Sequence, residues 1–109
     1  MTTTMRRAPL DPKVLDDAAA MIRVLGHPDR LRIVECLEDG ERTVSELQDE
    51  LESAQAAVSQ QLARMRAAGI VRGRREGANV FYSIADERVV QMLNCLRNCN
   101  LQNPKARGR

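Results

Sequence analysis

The sequence predicts a mainly α-helical domain carrying one small β-hairpin, an α+β fold, on three observations. Apolar residues recur at helical spacing from Leu15 to Met65 and again from Val89 to Leu96. Residues 71–84 alternate around Gly77-Ala78, as two short strands joined by a tight turn do. The third observation is charge. Residues 53–75 contain no Asp or Glu but hold Arg64, Arg66, Arg72, Arg74 and Arg75, while residues 29–52 carry nine acids. A short helix, a turn, a second helix and a basic hairpin form the outline of a winged helix-turn-helix. The net charge of +2 thus conceals a basic face beside an acidic one. Phosphate binding needs that local concentration of cations, not a high overall charge.

A length of 109 residues fits one domain. With 43% hydrophobic residues and only Phe81 and Tyr82 as aromatics, the core is expected to be built of Leu, Ile, Val, Met and Ala. A chain this small buries only about two-thirds of its unfolded surface, so dimerisation would help it. No apolar run approaches the roughly 20 residues needed to span a bilayer, and no apolar segment follows Arg6 and Arg7 to make a signal peptide. Cys36, Cys95 and Cys99 without an export signal point to a reducing cytoplasm. An enzyme is not expected. The chain has no Ser/His/Asp set, no phosphate-cradling Gly loop and no paired carboxylates, and its CxxxC is not the CxxC of a thiol oxidoreductase.

Residues 1–11 read as a flexible arm, residues 12–101 as the folded domain and residues 102–109 as a flexible basic tail. Pro12 suits a helix start, and Leu15, Ala18, Ala19, Ile22 and Leu25 form the first stripe, which Gly26 ends. A second helix opens at His27-Pro28-Asp29 and carries Leu31, Ile33, Val34 and Leu37. His27, the sole histidine, is expected to pack or cap. Thr43 and Val44 offer a short strand and Ser45 a cap for the next helix, whose Leu47 and Leu51 face inward. After the turn at residues 52–54 comes a helix from about Gln55 to Ala67, with Ala57, Val58, Leu62 and Met65 buried. Its other face shows Gln55, Ala56, Ser59, Gln60, Ala63 and Arg64. Small residues and amides there let a helix lie close in a major groove. Gly69 ends it, and Arg72 and Arg74 share one face of the first hairpin strand with Arg75 at the tip. Such a hairpin suits DNA backbone or the minor groove. The last helix begins near Asp86 with the stripe Val89, Met92, Leu93 and Leu96. Together with the first helix it is expected to build a symmetric homodimer.

The segments LGHPDRLRIVECL, TVSEL and AQAAVSQQLARMRAAGIVRGRREGANVFYSI resemble the ArsR/SmtB family of metal- and thiol-responsive bacterial repressors, over roughly residues 15–98. The resemblance implies a homodimer on a palindromic double-stranded operator that blocks transcription until an inducer lowers DNA affinity, with no cofactor required for DNA binding. By position, Gln55, Ser59 and Gln60 would read bases, since Gln can bridge adenine N6 and N7. Ala56 would lie against the groove, and Arg64, Arg72, Arg74 and Arg75 would hold phosphates. Ala54 stands where the family often has Ser, which passes the cap to Ser53.

The inducer site departs from family patterns. Thr43-Val44-Ser45-Glu46-Leu47 replaces the cysteine-rich segment of many arsenic sensors, and the zinc-sensing positions read Asp86, Arg88, Cys99 and Gln102. Arg88 cannot ligate a metal. What remains is Cys95 and Cys99, four apart, with Cys36 near the end of the second helix. Thiols at i and i+4 share a helix face and suit capture of a soft thiophile such as As(III). The same thiols also suit a disulfide or persulfide switch. Constitutive DNA binding and a purely protein-binding winged helix are the remaining alternatives. An inducer on an interface helix would shift the spacing of the two reading helices, which must match about 34 Å of DNA, and DNA would weaken inducer binding in return.

Overall fold

Asp11 and Pro12 open α1 (Pro12–Leu25). The Asp11 carboxylate accepts from the Lys13 N–H at 2.8 Å, and Pro12 has no N–H to leave unpaired. The computed structural model describes residues 7–53 and 55–99, Gln55 by its backbone alone. The first six residues of the expected arm, Ala54 of the turn and residues 100–109 with the expected tail lie outside them. After α1 come α2 (Pro28–Leu37), β1 (Arg42–Thr43), α3 (Val44–Leu51), α4 (Gln55–Ala67), β2 (Val71–Glu76), β3 (Asn79–Ile84) and α5 (Glu87–Asn98). The strands form one antiparallel sheet in the order β1-β3-β2, with Arg42 opposite Tyr82 and Arg74 opposite Phe81. This is a winged helix-turn-helix, mainly α with the β2–β3 hairpin as the wing.

The core lies where the apolar stripes meet. Ile33 and Val34 of α2, Leu47 of α3, Leu62 and Met65 of α4, and Val89 of α5 are all at most 1% exposed. Ile70 ties α4 to the sheet. Its N–H donates to Met65 O at 2.9 Å, and its carbonyl accepts from Ala85 N–H at 2.8 Å. Gly69 makes that turn at φ 77°, a conformation costly for a side chain with a Cβ.

Three local expectations are corrected. Thr43, not Ser45, caps α3: its hydroxyl accepts from Glu46 N–H at 3.2 Å, and the Glu46 carboxylate accepts from Thr43 N–H at 2.8 Å, a complete capping box. Val44 is accordingly the first residue of α3 and not part of the strand. His27 is exposed and its side chain makes no cap; its backbone carbonyl takes the N–H groups of Arg30 and Leu31, both at 3.1 Å. Ala57 is exposed, while Val58, Leu62 and Met65 are buried as expected. On α1 the stripe leaves apolar surface outside the protomer core, as expected, and only Leu25 of it is buried. Leu15 is 50% and Ile22 57% exposed, and Met21 and Val24 pack on the core instead.

Candidate nucleic-acid interface

The helix α4 is amphipathic in size more than in polarity. Val58, Leu62 and Met65 anchor it to the core, which turns Ala56, Ser59, Gln60, Ala63 and Arg64 outward, all exposed. Gln55 begins the helix, its side chain outside the described residues. The outward face has no acid and no bulky apolar group. Arg64 and Arg66 occupy the last turn, where cations complement the helix dipole. Among the described residues neither makes an ion pair.

The wing presents its arginines on two faces. Directly opposed residues share a face, so Arg72 and Arg74 stand together with Ser83 and Phe81, away from the core side of the sheet, as expected. Arg75 pairs with Val80 and shares the other face with Gly73 and Tyr82. It is not at the tip, which is Gly77-Ala78. Gly77 turns the chain there at φ 61°.

Arg74 is already engaged. Its Nε and Nη2 donate to both carboxylate oxygens of Glu41 at 3.0 and 2.8 Å, its Nη1 donates to Glu76 at 3.2 Å, and its guanidinium lies 5.0 Å from the Phe81 ring centre. These bonds hold the Glu41 carboxyl below its usual range and push the Arg74 guanidinium still further up. Among the described residues Arg72 reaches only the Ala85 carbonyl, at 3.5 Å.

Between the start of α3 and the wing lies a groove of about 230 Å³, lined by Thr43, Val44, Ser45, Asn79 and Tyr82 among others. Because Thr43 is the cap, the Ser45 hydroxyl is left exposed in the first turn of α3. Ser45 and Asn79 therefore add polar groups to this groove, Asn79 opposite Glu76 on the hairpin face of Arg74. Sequence reading spent Ser45 as a cap and passed over Asn79. The Thr-x-x-Glu spacing at Thr43 and Glu46 competes with Ser45-x-x-Gln48 for the cap, and only the pairing of Thr43 with Phe81 decides for Thr43.

The cysteines separate into two environments. Cys36 is half-buried on α2, where burial first, then the negative charge of Glu50, pushes its thiol up. Cys95 and Cys99 are exposed. Cys99 does not continue the helix: it follows α5 in extended conformation (φ −96°, ψ 168°), and its Sγ donates to Leu96 O at 3.3 Å. The expected i, i+4 face is therefore broken at its second thiol. Among the described residues no three His, Cys, Asp or Glu side chains gather to hold a metal, so Cys36 is not brought to the pair within one protomer.

The start of α5 does not fit zinc. The Asp86 oxygens accept from Arg88 Nε and Nη2 at 2.7–3.1 Å, and Asp86 also accepts the Arg88 N–H at 2.9 Å as helix cap. These contacts hold the Asp86 carboxyl below its usual range. A divalent cation there would have to displace a guanidinium that itself cannot ligate.

The family model described as "Bacterial regulatory protein, arsR family" matches residues 27–72, from the start of α2 into the wing. The chain is 36% identical over 88 residues to the biofilm growth-associated repressor of Agrobacterium fabrum, covering 81% of this chain and 75% of that one. It is 40% identical over 86 residues to the HTH-type transcriptional repressor SmtB of Mycobacterium tuberculosis, covering 79% of this chain and 64% of that one, just under two-thirds. Among solved structures it resembles the homodimeric winged helix-turn-helix DNA-binding domain Mb0332 of Mycobacterium bovis, with a TM-score of 0.69, 29% identity, and coverage of 84% of this chain and 87% of that one.

Proposed function

Because the chain belongs to the arsR family of bacterial regulatory proteins, it is a DNA-binding transcriptional regulator and not an enzyme, and we propose that it acts as a homodimeric repressor on a palindromic operator. The observation that carries this reading is the acid-free outer face of α4, flanked by Arg64 and by the wing arginines. Ala56 and Ala63 let the helix sit deep in a major groove, Gln55, Ser59 and Gln60 meet base edges, and Arg64, Arg72, Arg74 and Arg75 hold backbone. Two copies are needed to read two half-sites about one helical turn apart. The exposed apolar residues Val14, Leu15 and Ile22 of α1 and Leu96 of α5 supply the surface that pairs them. The Mycobacterium bovis relative is homodimeric by its description. No helix among the described residues is long and apolar enough to cross a membrane; the repressor works in the cytoplasm.

Release is assigned to thiol chemistry at the end of α5. Cys95 and Cys99 are exposed soft donors beside this interface, and a third thiolate from the partner protomer completes a site for As(III) or another soft metal. Binding there moves the two α4 helices out of register with DNA.

The test is fluorescence anisotropy of reduced protein on labelled DNA from upstream of its own gene, against a scrambled duplex. Arsenite, a polysulfide and a zinc salt are added in parallel. Specific binding released by arsenite and restored by excess dithiol is the expected result. Release by polysulfide alone makes the same cysteines a redox switch, and binding that nothing relieves makes the repressor constitutive. Absence of specific binding overturns the repressor reading itself.

A further inference from the structure

Arg30 is the one buried charged residue among the described residues, 8% exposed. Its position is poor for stability. It lies in the first turn of α2, at the positive end of the helix dipole, and among the described residues no carboxylate pairs with it. Its guanidinium is instead spent on two neutral acceptors from two other helices. Nη1 donates to the Val24 carbonyl at 2.7 Å, in the last turn of α1, and Nε donates to Gln61 Oε1 at 2.5 Å, on α4. A planar guanidinium fixes the angle between its N–H groups, so both bonds form only when α1 and α4 hold one relative placement.

Gln61 stands next to Gln60 on α4 and is half-buried, at the edge of the outward face. A side chain pinned there resists rotation of α4 about its axis. Side-chain tips sit about 5–6 Å from a helix axis, so a 10° turn moves them by about 1 Å. That exceeds the few tenths of an ångström over which a hydrogen bond to a base edge keeps its strength.

We propose that Arg30 is a positioning residue for DNA reading: through Gln61 it sets the rotation of α4, and through Val24 it makes that rotation depend on α1, the helix assigned to the dimer interface. The inference rests on the DNA-binding reading above. It adds a route by which the interface is felt at the bases, independent of the cysteines.

Full-length protein and four variants test it: Gln61→Met, Gln61→Glu, Arg30→Met, and Arg30→Met with Gln61→Met. Dissociation constants are measured on the tightest duplex selected from random-sequence DNA and on a scrambled duplex of the same length, with thermal melting alongside. Gln61→Met removes the acceptor at nearly constant volume from a half-buried site and should fold. It is expected to lower the ratio of selected to scrambled affinity about tenfold or more, the worth of one hydrogen bond to a charged donor. Gln61→Glu keeps an acceptor for Arg30 and is expected to retain the ratio. The double variant is expected to lose no more than the worse single one. Equal loss on both duplexes means that Arg30 is only structural and overturns the inference. So does an unchanged ratio in Gln61→Met, a loss in Gln61→Glu as large as in Gln61→Met, or strictly additive losses. If the parent protein itself prefers no duplex, the DNA-reading conclusion falls first and takes the inference with it. If Arg30→Met does not fold, the two Gln61 variants still decide.

Discussion

Glu41 and Arg74 meet across 33 residues of sequence, with two charge-assisted bonds, on a wing that also carries Arg72 and Arg75. Both groups are largely solvent-exposed, so the pair contributes little to stability. Its effect on DNA binding is larger, because a phosphate must compete with Glu41 for the same guanidinium. Glu41→Gln is therefore expected to leave the melting temperature nearly unchanged. It should tighten DNA binding severalfold at low salt and steepen the dependence of log K on log salt by up to about 0.9, the slope for one further phosphate contact. Weaker binding would show that Glu41 aims Arg74 at the backbone instead of withholding it. The cysteines differ at this scale as well. Burial and Glu50 raise the Cys36 thiol, so near neutral pH the native protein holds it protonated, and it ionises only as pH climbs past its ordinary value. Brief alkylation with iodoacetamide at pH 7 is expected to label Cys95 and Cys99 well before Cys36, as read by peptide mass spectrometry. Equal labelling would remove the distinction between Cys36 and the α5 pair. Neither the capture of Arg74 nor the shielding of Cys36 was legible in the sequence, since both depend on side chains brought together from different elements.

The elements were largely legible because the chain punctuates them. Pro12 and Pro28 start helices, Gly26 ends α1, Gly69 ends α4, and Gly77 turns the hairpin. What failed was a choice between two equivalent local signals. Thr43-x-x-Glu46 and Ser45-x-x-Gln48 both have capping-box spacing. The sheet decides between them. Thr43 pairs with Phe81 on β3 and is therefore extended (φ −84°, ψ 167°), which a cap requires, while Ser45 is already inside the helix. That pairing joins residues 38 apart, so no local window contains it. Thr43→Ala removes the oxygen that accepts from Glu46 N–H and is expected to destabilise the protein by about 1 kcal/mol, whereas Ser45→Ala should change stability by less than about 0.5 kcal/mol. Urea melts of the two variants check the order, and a larger loss from Ser45→Ala would restore the sequence-level assignment. The same comparison on labelled DNA tests whether the exposed Ser45 hydroxyl contributes to backbone binding. The cysteine pair failed at this scale too: i, i+4 spacing implies one helix face only while the helix lasts, and α5 ends at Asn98.

For the whole molecule, the stripe read from α1 marks apolar surface that the protomer core does not consume. Leu15 and Ile22 repeat at helical spacing yet remain half or more exposed, because Met21, Val24 and Leu25 already fill the contact of α1 with the protomer core. Periodicity reports that a face is apolar and is silent about what covers it. On α5 the division runs along the axis: Val89 and Leu93 are buried, and Leu96, one turn later, is 37% exposed. Exposed apolar side chains on the first and last helices of one small domain are the pattern expected of a protomer that completes its core with a second copy. Ile22→Glu places a charge in that surface without touching α4 or the wing. It is expected to convert a dimer to a monomer in sedimentation equilibrium at micromolar concentration. It should also abolish specific operator binding while weak, salt-sensitive binding to any duplex persists, since each protomer keeps its own arginines but no longer spans two half-sites. A monomeric variant that still bound the full operator tightly would show that one protomer suffices, and would detach both the thiol-driven release and the Arg30 coupling from the interface on which they depend.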